Sequence, residues 1–159
     1  MQGDTPTISY YVSTDFGETF SSQILPGGGI FYSTTALSSG INGRYLFVSG
    51  SATEAFRIDL DTNTSIPLVF GNNTQSQGRS LVADSLGNIV DGFFNDTNVT
   101  SVYFAVSPNL GDTFSDAIKV DENSTNISVE IDPVNNKVVV AYEKDAQVYV
   151  KTYVDMLLQ

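Results

Sequence analysis

The sequence predicts an all-β chain of antiparallel four-stranded repeats, each about 47 residues long, and three observations carry that prediction. Short runs rich in Val, Ile, Phe, Tyr and Thr are separated by Gly, Asn and Asp turns. Hairpin-like segments recur with starts 44 and 48 residues apart. An octet near the N-terminus recurs 94 residues later, twice 47. No 12-residue stretch shows a clean 3.6-residue apolar period, so no helix is expected.

The hairpins come first. Gly43-Arg44-Tyr45-Leu46-Phe47-Val48, Gly87-Asn88-Ile89-Val90 and Asn135-Asn136-Lys137-Val138-Val139-Val140 each follow a polar turn and read as second strands. Their first strands are expected at Phe31 to Leu37, Ser80 to Asp84 and Ile127 to Asp132. Third strands are expected at Ala55 to Leu60, Ser101 to Ser107 and Gln147 to Val154.

The octets are Ser13-Thr14-Asp15-Phe16-Gly17-Glu18-Thr19-Phe20 and Ser107-Pro108-Asn109-Leu110-Gly111-Asp112-Thr113-Phe114. Asp15 or Asn109 can bond its own backbone two residues on. Gly17 and Gly111 can take a positive φ without a Cβ penalty. Thr19 and Thr113 can pin the turn by their hydroxyls, and Phe20 and Phe114 can pack inward beneath it. A middle copy should fall near residues 60–67, where Asp59-Leu60-Asp61-Thr62-Asn63-Thr64-Ser65 forms another polar turn. The octets resemble the Asp-box, or BNR repeat, of the sialidase and sortilin-like β-propellers. The first copy matches fully and the second departs at Asn109. The resemblance implies that each octet joins the third and fourth strands of a blade and marks the fold, not an active site.

With strands labelled A to D within a repeat, the chain reads C-D, A-B-C-D, A-B-C-D, A-B-C. That is β-propeller-like, about three blades in an incomplete ring. Residues 1–159 then form a single Asp-box repeat domain, a fragment of or an arc in a larger propeller, with a homo-oligomer as one way to complete the ring. The alternative fold is a β-sandwich.

Seven basic residues against eighteen acidic ones give a net charge of −11, a field that repels nucleic acid. Absence of His and Cys removes His-based triads, thiol catalysis, disulfides and zinc-thiolate sites. No apolar run is long enough for a membrane span. No basic-then-apolar leader is read at the N-terminus, so either one has been removed or Met1 lies inside a longer protein. Asn63, Asn72, Asn95, Asn98, Asn123 and Asn126 all stand in Asn-x-Ser/Thr. Chance would give roughly 2.5 such triplets in this composition, so the six present point to an extracellular or cell-surface glycoprotein. The competing explanation is that turn-rich β chains concentrate these residues anyway.

Chemistry-bearing constellations are few. The sialidase resemblance implies three carboxylate-gripping arginines, and the chain has Arg44, Arg57 and Arg79. Phe56-Arg57-Ile58 resembles the start of that family's Phe/Tyr-Arg-Ile-Pro motif, but Asp59 replaces the Pro. Glu130, Asp132 and Glu143 are the candidate carboxylate pairs for glycoside hydrolysis. Asp59, Asp61 and Asn63 have the alternating oxygens of a calcium loop, without the Gly and Glu that complete one. Pro26-Gly27-Gly28-Gly29-Ile30 lacks the Lys and helix of a phosphate loop. Tyr10, Tyr11, Tyr32, Tyr45 and Tyr103 could stack on sugars or pack within sheets. The expected function is a non-catalytic surface domain, structural or adhesive, whose partner is carbohydrate or another surface protein. No catalytic residue and no cofactor is assigned. The alternative is a fragment of a sialidase-like glycoside hydrolase.

Overall fold

The computed structural model describes residues 9–13, 15–24, 36–40, 43–49, 55–68, 77–95 and 99–157. Its thirteen described strands form four antiparallel sheets, and each sheet is filled by strands consecutive in the chain. The first pairs β1 (Ser9–Val12) with β2 (Ser21–Ile24). The second holds β3 (Ala36–Gly40), β4 (Tyr45–Ser49), β5 (Ala55–Asp59) and β6 (Thr64–Pro67). The third holds β7 (Gln77–Ala83), β8 (Ile89–Asn95), β9 (Ser101–Ser107) and β10 (Ile118–Glu122). The fourth holds β11 (Thr125–Asp132), β12 (Lys137–Lys144) and β13 (Gln147–Val154). Two, four, four and three strands reproduce the C-D, A-B-C-D, A-B-C-D, A-B-C reading. The two-sheet sandwich does not fit, because the described strands fall into four sheets and not into two packed face to face.

The sheets stack as blades do. β3 lies against β7, and β7 against β11, so the first strands of successive repeats adjoin. Period-2 alternation decides which side chains fill the gaps. In β12, Val138, Val140 and Tyr142 are buried while their neighbours are not. They meet Val90, Val102 and Phe104 of the third sheet, together with Val129 and Ile131 of β11. Each such side chain contributes roughly 1.5–3 kcal/mol when fully buried. β8 is buried on both faces over Ile89–Phe93, as a central strand between two blades must be. Gly92 permits the close approach of β11, because a Cβ there would lie 2.5 Å from Val129 Cγ1. A second cluster, Phe47, Ala55, Leu68, Leu81 and Ile89, fills the gap between the second and third sheets.

The A–B turns share one device. Asp84 Oδ1 accepts from the amides of Leu86 and Asn88, both at 2.9 Å, and Asp84 Oδ2 accepts from Asn88 Nδ2 at 2.7 Å. Asp132 does the same with Asn135, whose Nδ2 lies 2.7 Å from Oδ2. A carboxylate that satisfies turn amides fixes the hairpin and hence the register of the strands it joins.

One expectation lies partly outside the described residues, and one needs correction. The first strand of the second sheet is described over Ala36–Gly40, and Phe31 to Thr35 of the expected Phe31 to Leu37, with Tyr32, lie outside the described residues. Its register with β4, Leu37 opposite Val48, is what places it. Phe114 packs against the second cluster as expected, whereas Phe20 is 63% exposed. The reason is the neighbour: Phe114 has the second sheet beside it, and β1–β2 pairs with no further strand among the described residues.

Candidate functional site

The two octets fold into the same turn. Ser13 Oγ accepts the Gly17 amide at 2.7 Å and donates to Asp15 Oδ1 at 2.8 Å, and that Oδ1 accepts the Thr19 amide at 2.9 Å. In the second octet Ser107 Oγ accepts the Gly111 amide at 2.9 Å, and Asn109 Oδ1 accepts Ser107 Oγ at 2.9 Å and the Thr113 amide at 3.0 Å. Phe16 and Gly17 have φ 57 and 91, and Leu110 and Gly111 have φ 61 and 83. One bond reverses its polarity. Thr19 Oγ1 donates to Asp15 Oδ2, while Asn109 Nδ2 donates to Thr113 Oγ1. A threonine hydroxyl both donates and accepts, so Asn replaces Asp without breaking the turn. Bonds from the Thr19 hydroxyl, the Thr19 amide and Ser13 lower the Asp15 pKa to about 2. Both octets join third and fourth strands, β1 to β2 and β9 to β10. The anticipated middle turn joins β5 to β6 at the equivalent place.

The second octet is wedged between blades. Its Leu110 amide donates to Gly87 O of the adjacent A–B turn. Arg57 reaches across from β5, donating to Leu110 O at 2.8 Å and pairing with Asp112 at 3.1 Å. Its side chain is only 12% exposed and lies over the Tyr45 ring. Arg44 pairs with Asp59 at 2.8 Å and with Asp61 at 3.4 Å. Two of the three candidate arginines are therefore committed to bonds inside the fold. Arg79 lies in β7, and its side chain is outside the described residues.

The oxygens of the calcium reading are bonded within the same turn. Asp59 Oδ1 accepts the Asp61 and Thr62 amides, its Oδ2 takes Arg44, and Asp61 also turns to Arg44. Arg44 therefore faces both carboxylates, and among the described residues no group of three or more His, Cys, Asp or Glu side chains gathers to hold a metal. Asn63 occupies the left-handed turn position, φ 51, and is exposed. The carboxylate candidates also separate. Glu130 stands opposite Val139 and Glu143 opposite Thr125, four residues further along β12. At about 3.3 Å per residue their backbone positions are on the order of 13 Å apart along the strands. Asp132 is taken up by its turn.

Of the sequons, Asn63, Asn123 and Asn126 are exposed at positive φ. Asn126 Nδ2 donates to Glu143 at 2.9 Å. Asn95 lies half-buried in β8, and Asn72 and Asn98 are outside the described residues.

The densest polar cluster was not anticipated from the sequence. It sits where the fourth sheet meets β10. Asp121 accepts from Lys144 Nζ and from Tyr142 Oη, both at 2.7 Å, and from Lys151 Nζ at 3.4 Å. Lys151 also donates to Val120 O and lies over the Tyr142 ring. Tyr149 stacks on Tyr142 with centroids 5.7 Å apart and planes at 21°, leaving its own ring 39% exposed. The Lys144 and Tyr142 bonds hold the Asp121 pKa well below the usual carboxylate range. Burial, reinforced by the bond to Asp121, pushes the Tyr142 phenol up to about 12. The Asp121 bond also raises Lys144. At neutral pH the phenol stays protonated and Asp121 and Lys144 stay charged. Such a set can bind and orient, but it offers neither a general base nor a phenolate nucleophile.

Among the described residues no helix is long and apolar enough to cross a membrane. No family model and no curated protein matches the chain. Among solved structures, the chain is similar to a polysaccharide lyase, PL25 ulvanlyase, bound to -[GlcA(1-4)Rha3S]-. The TM-score is 0.48 at 14% identity, over 84% of this chain and 34% of that one. A second structure of a PL25 ulvanlyase gives a TM-score of 0.47 with the same identity and coverage. The chain thus spans about a third of the length of those lyases, and what they act on is a property of those enzymes.

Proposed function

We propose that this chain is a non-catalytic, extracellular Asp-box repeat domain, structural or adhesive, whose ligand is a glycan. One observation carries the non-catalytic part. Two of the three candidate arginines are bonded within the chain: Arg57 staples the second octet to the neighbouring blade, and Arg44 closes the β5–β6 turn. The buried Tyr142 hydroxyl donates to Asp121. Sequons at exposed turn positions support an extracellular setting. The glycan reading rests on the Tyr149 ring, which presents an aromatic face backed by Tyr142 and flanked by Lys151.

A glycan array probed with the intact chain tests this reading. Wild type is retained on a subset of glycans without releasing product. Tyr149→Ala weakens that retention about two- to tenfold, the equivalent of roughly 0.5–1.5 kcal/mol for one stacking contact. Because the ring is part-exposed, the variant should keep its melting temperature. Retention indifferent to Tyr149, or none on any glycan, would remove the glycan from the account.

A further inference from the structure

The Tyr149 face lies where the third and fourth sheets meet, and the charges around it decide which glycans suit it. Period-2 alternation and the β12–β13 register set Gln147, Tyr149 and Lys151 on the sheet face that carries Tyr142 and Lys144, with Asp121 of β10 opposite. Three ammonium groups stand at or beside this cluster. Lys144 and Lys151 bond to Asp121, and Lys119 pairs with Glu122. Three carboxylates stand with them: Asp121, Glu122 and Asp145, whose charge acts on Lys144. Three cations against three anions sum to zero, on a chain whose own sum is −11. An anionic sugar therefore meets no surplus cation and is repelled by the chain as a whole. A cationic sugar finds Asp121 and Glu122 already bonded.

The groups left for a ligand are uncharged. Tyr149 rests one side of its ring on Tyr142, and the ring stays 39% exposed. The negative face of such a ring attracts the polarised C–H bonds of a pyranose and disfavours an anion. The Tyr149 hydroxyl donates to Gln147 Oε1 at 3.2 Å. With its carbonyl oxygen so engaged, the exposed Gln147 side chain keeps its amide N–H groups for the hydroxyl oxygens of a sugar. A neutral hexose offers both halves of the match, C–H groups to stack on the ring and hydroxyls to accept from the amide. We infer that this site takes a neutral hexose glycan, with Tyr149 as its stacking platform and Gln147 as the residue that reads its hydroxyls. The inference rests on the glycan reading above and narrows it to one class of sugar.

An array carrying neutral hexose, sulfated or uronic, and amino glycans side by side, probed with the intact chain, is the test. Wild type is retained on neutral hexose glycans, and that retention changes less than about twofold between about 0.05 and 0.5 M salt, because no ion pair forms with the ligand. Gln147→Ala weakens it about two- to tenfold at an unchanged melting temperature. Lys119→Met removes a cation from outside the stacking face and leaves it within about twofold. Retention confined to sulfated, uronic or amino glycans overturns the neutral-sugar inference and leaves the glycan reading standing. So does retention that falls about tenfold over the same salt range, or neutral-glycan retention that Gln147→Ala does not weaken. No retention on any glycan overturns both.

Discussion

Gly17 and Gly111 hold the same place in the two octets but differ in what surrounds them, and that difference can be measured. Both have positive φ, 91 and 83, so Ala at either position pays for a backbone conformation that disfavours Cβ, at about 1–2 kcal/mol. At Gly17 nothing lies within 4 Å of the added Cβ. At Gly111 the Cβ would sit 2.5 Å from Leu68 Cδ2 and 3.3 Å from Ile89 Cδ1, inside the second cluster. Overpacking of that kind costs about 1–3 kcal/mol more. Gly17→Ala should therefore cost roughly 1–2 kcal/mol and Gly111→Ala roughly 2–5 kcal/mol. For a chain of this size that corresponds to about 2–8 °C and about 4–20 °C in melting temperature. Urea titration of both variants and of Leu68→Ala/Gly111→Ala closes the argument. Removing the Leu68 methyls should recover part of the Gly111→Ala loss, giving a coupling of about 0.5–3 kcal/mol. Equal losses at the two glycines, or no coupling to Leu68, would refute the claim that the second octet is wedged between blades and the first is not.

Three further outcomes follow from the same structure. The Thr19 amide should report an acid titration near pH 2 by nuclear magnetic resonance, while the Thr113 amide should not, because Asn109 has no proton to gain in that range. Asp121 has a depressed pKa, so its contribution to stability is complete above the ordinary Asp value of 3.8 and is lost as the pH falls toward its folded value. Asp121→Asn should accordingly flatten the acid limb of a melting-temperature profile, run parallel to wild type around neutral pH, and also lose the alkaline fall that comes from the raised Lys144. Expressed through a secretory pathway, the chain should carry glycan at Asn63 and Asn123, on exposed turns, and none at Asn95 in β8, as peptide mass mapping will show.

The strand order was legible because the repeat is written twice, once in hairpin spacing and once in the octets. Third strands were placed to the residue at Ser101–Ser107 and Gln147–Val154, where continuous β-formers are bounded by turn residues. The C-terminal end of the A strand of the second sheet was not legible at Leu37, because Ser38 and Ser39 make no boundary, and its register with β4 carries it on to Gly40. Asn at turns has two explanations that a sequence cannot separate. Asn63, Asn123 and Asn126 are both sequons and left-handed turn residues, and Asn136, at φ 51, is a turn residue with no sequon at all. The Asp121 cluster was missed because it draws on β10, β12 and β13. A signal was present in Tyr142-x-Lys144 and Tyr149-x-Lys151, which period-2 alternation sets on one sheet face. Nothing local in the sequence says that Asp121 stands opposite. Arg57 was read for its motif, but its partners lie 53 and 55 residues away, and only the stacking of the blades reveals them.

Turnover of fluorogenic glycosides by wild type and Arg57→Ala, with melting temperature as the folding control, separates an Arg57 that only holds the fold together from one that performs chemistry. A purely structural Arg57 predicts no turnover by wild type. It also predicts a loss of roughly 1.5–3 kcal/mol in Arg57→Ala, since a buried bond to a charged donor disappears. Turnover by wild type that vanishes in Arg57→Ala, at an unchanged melting temperature, would contradict it.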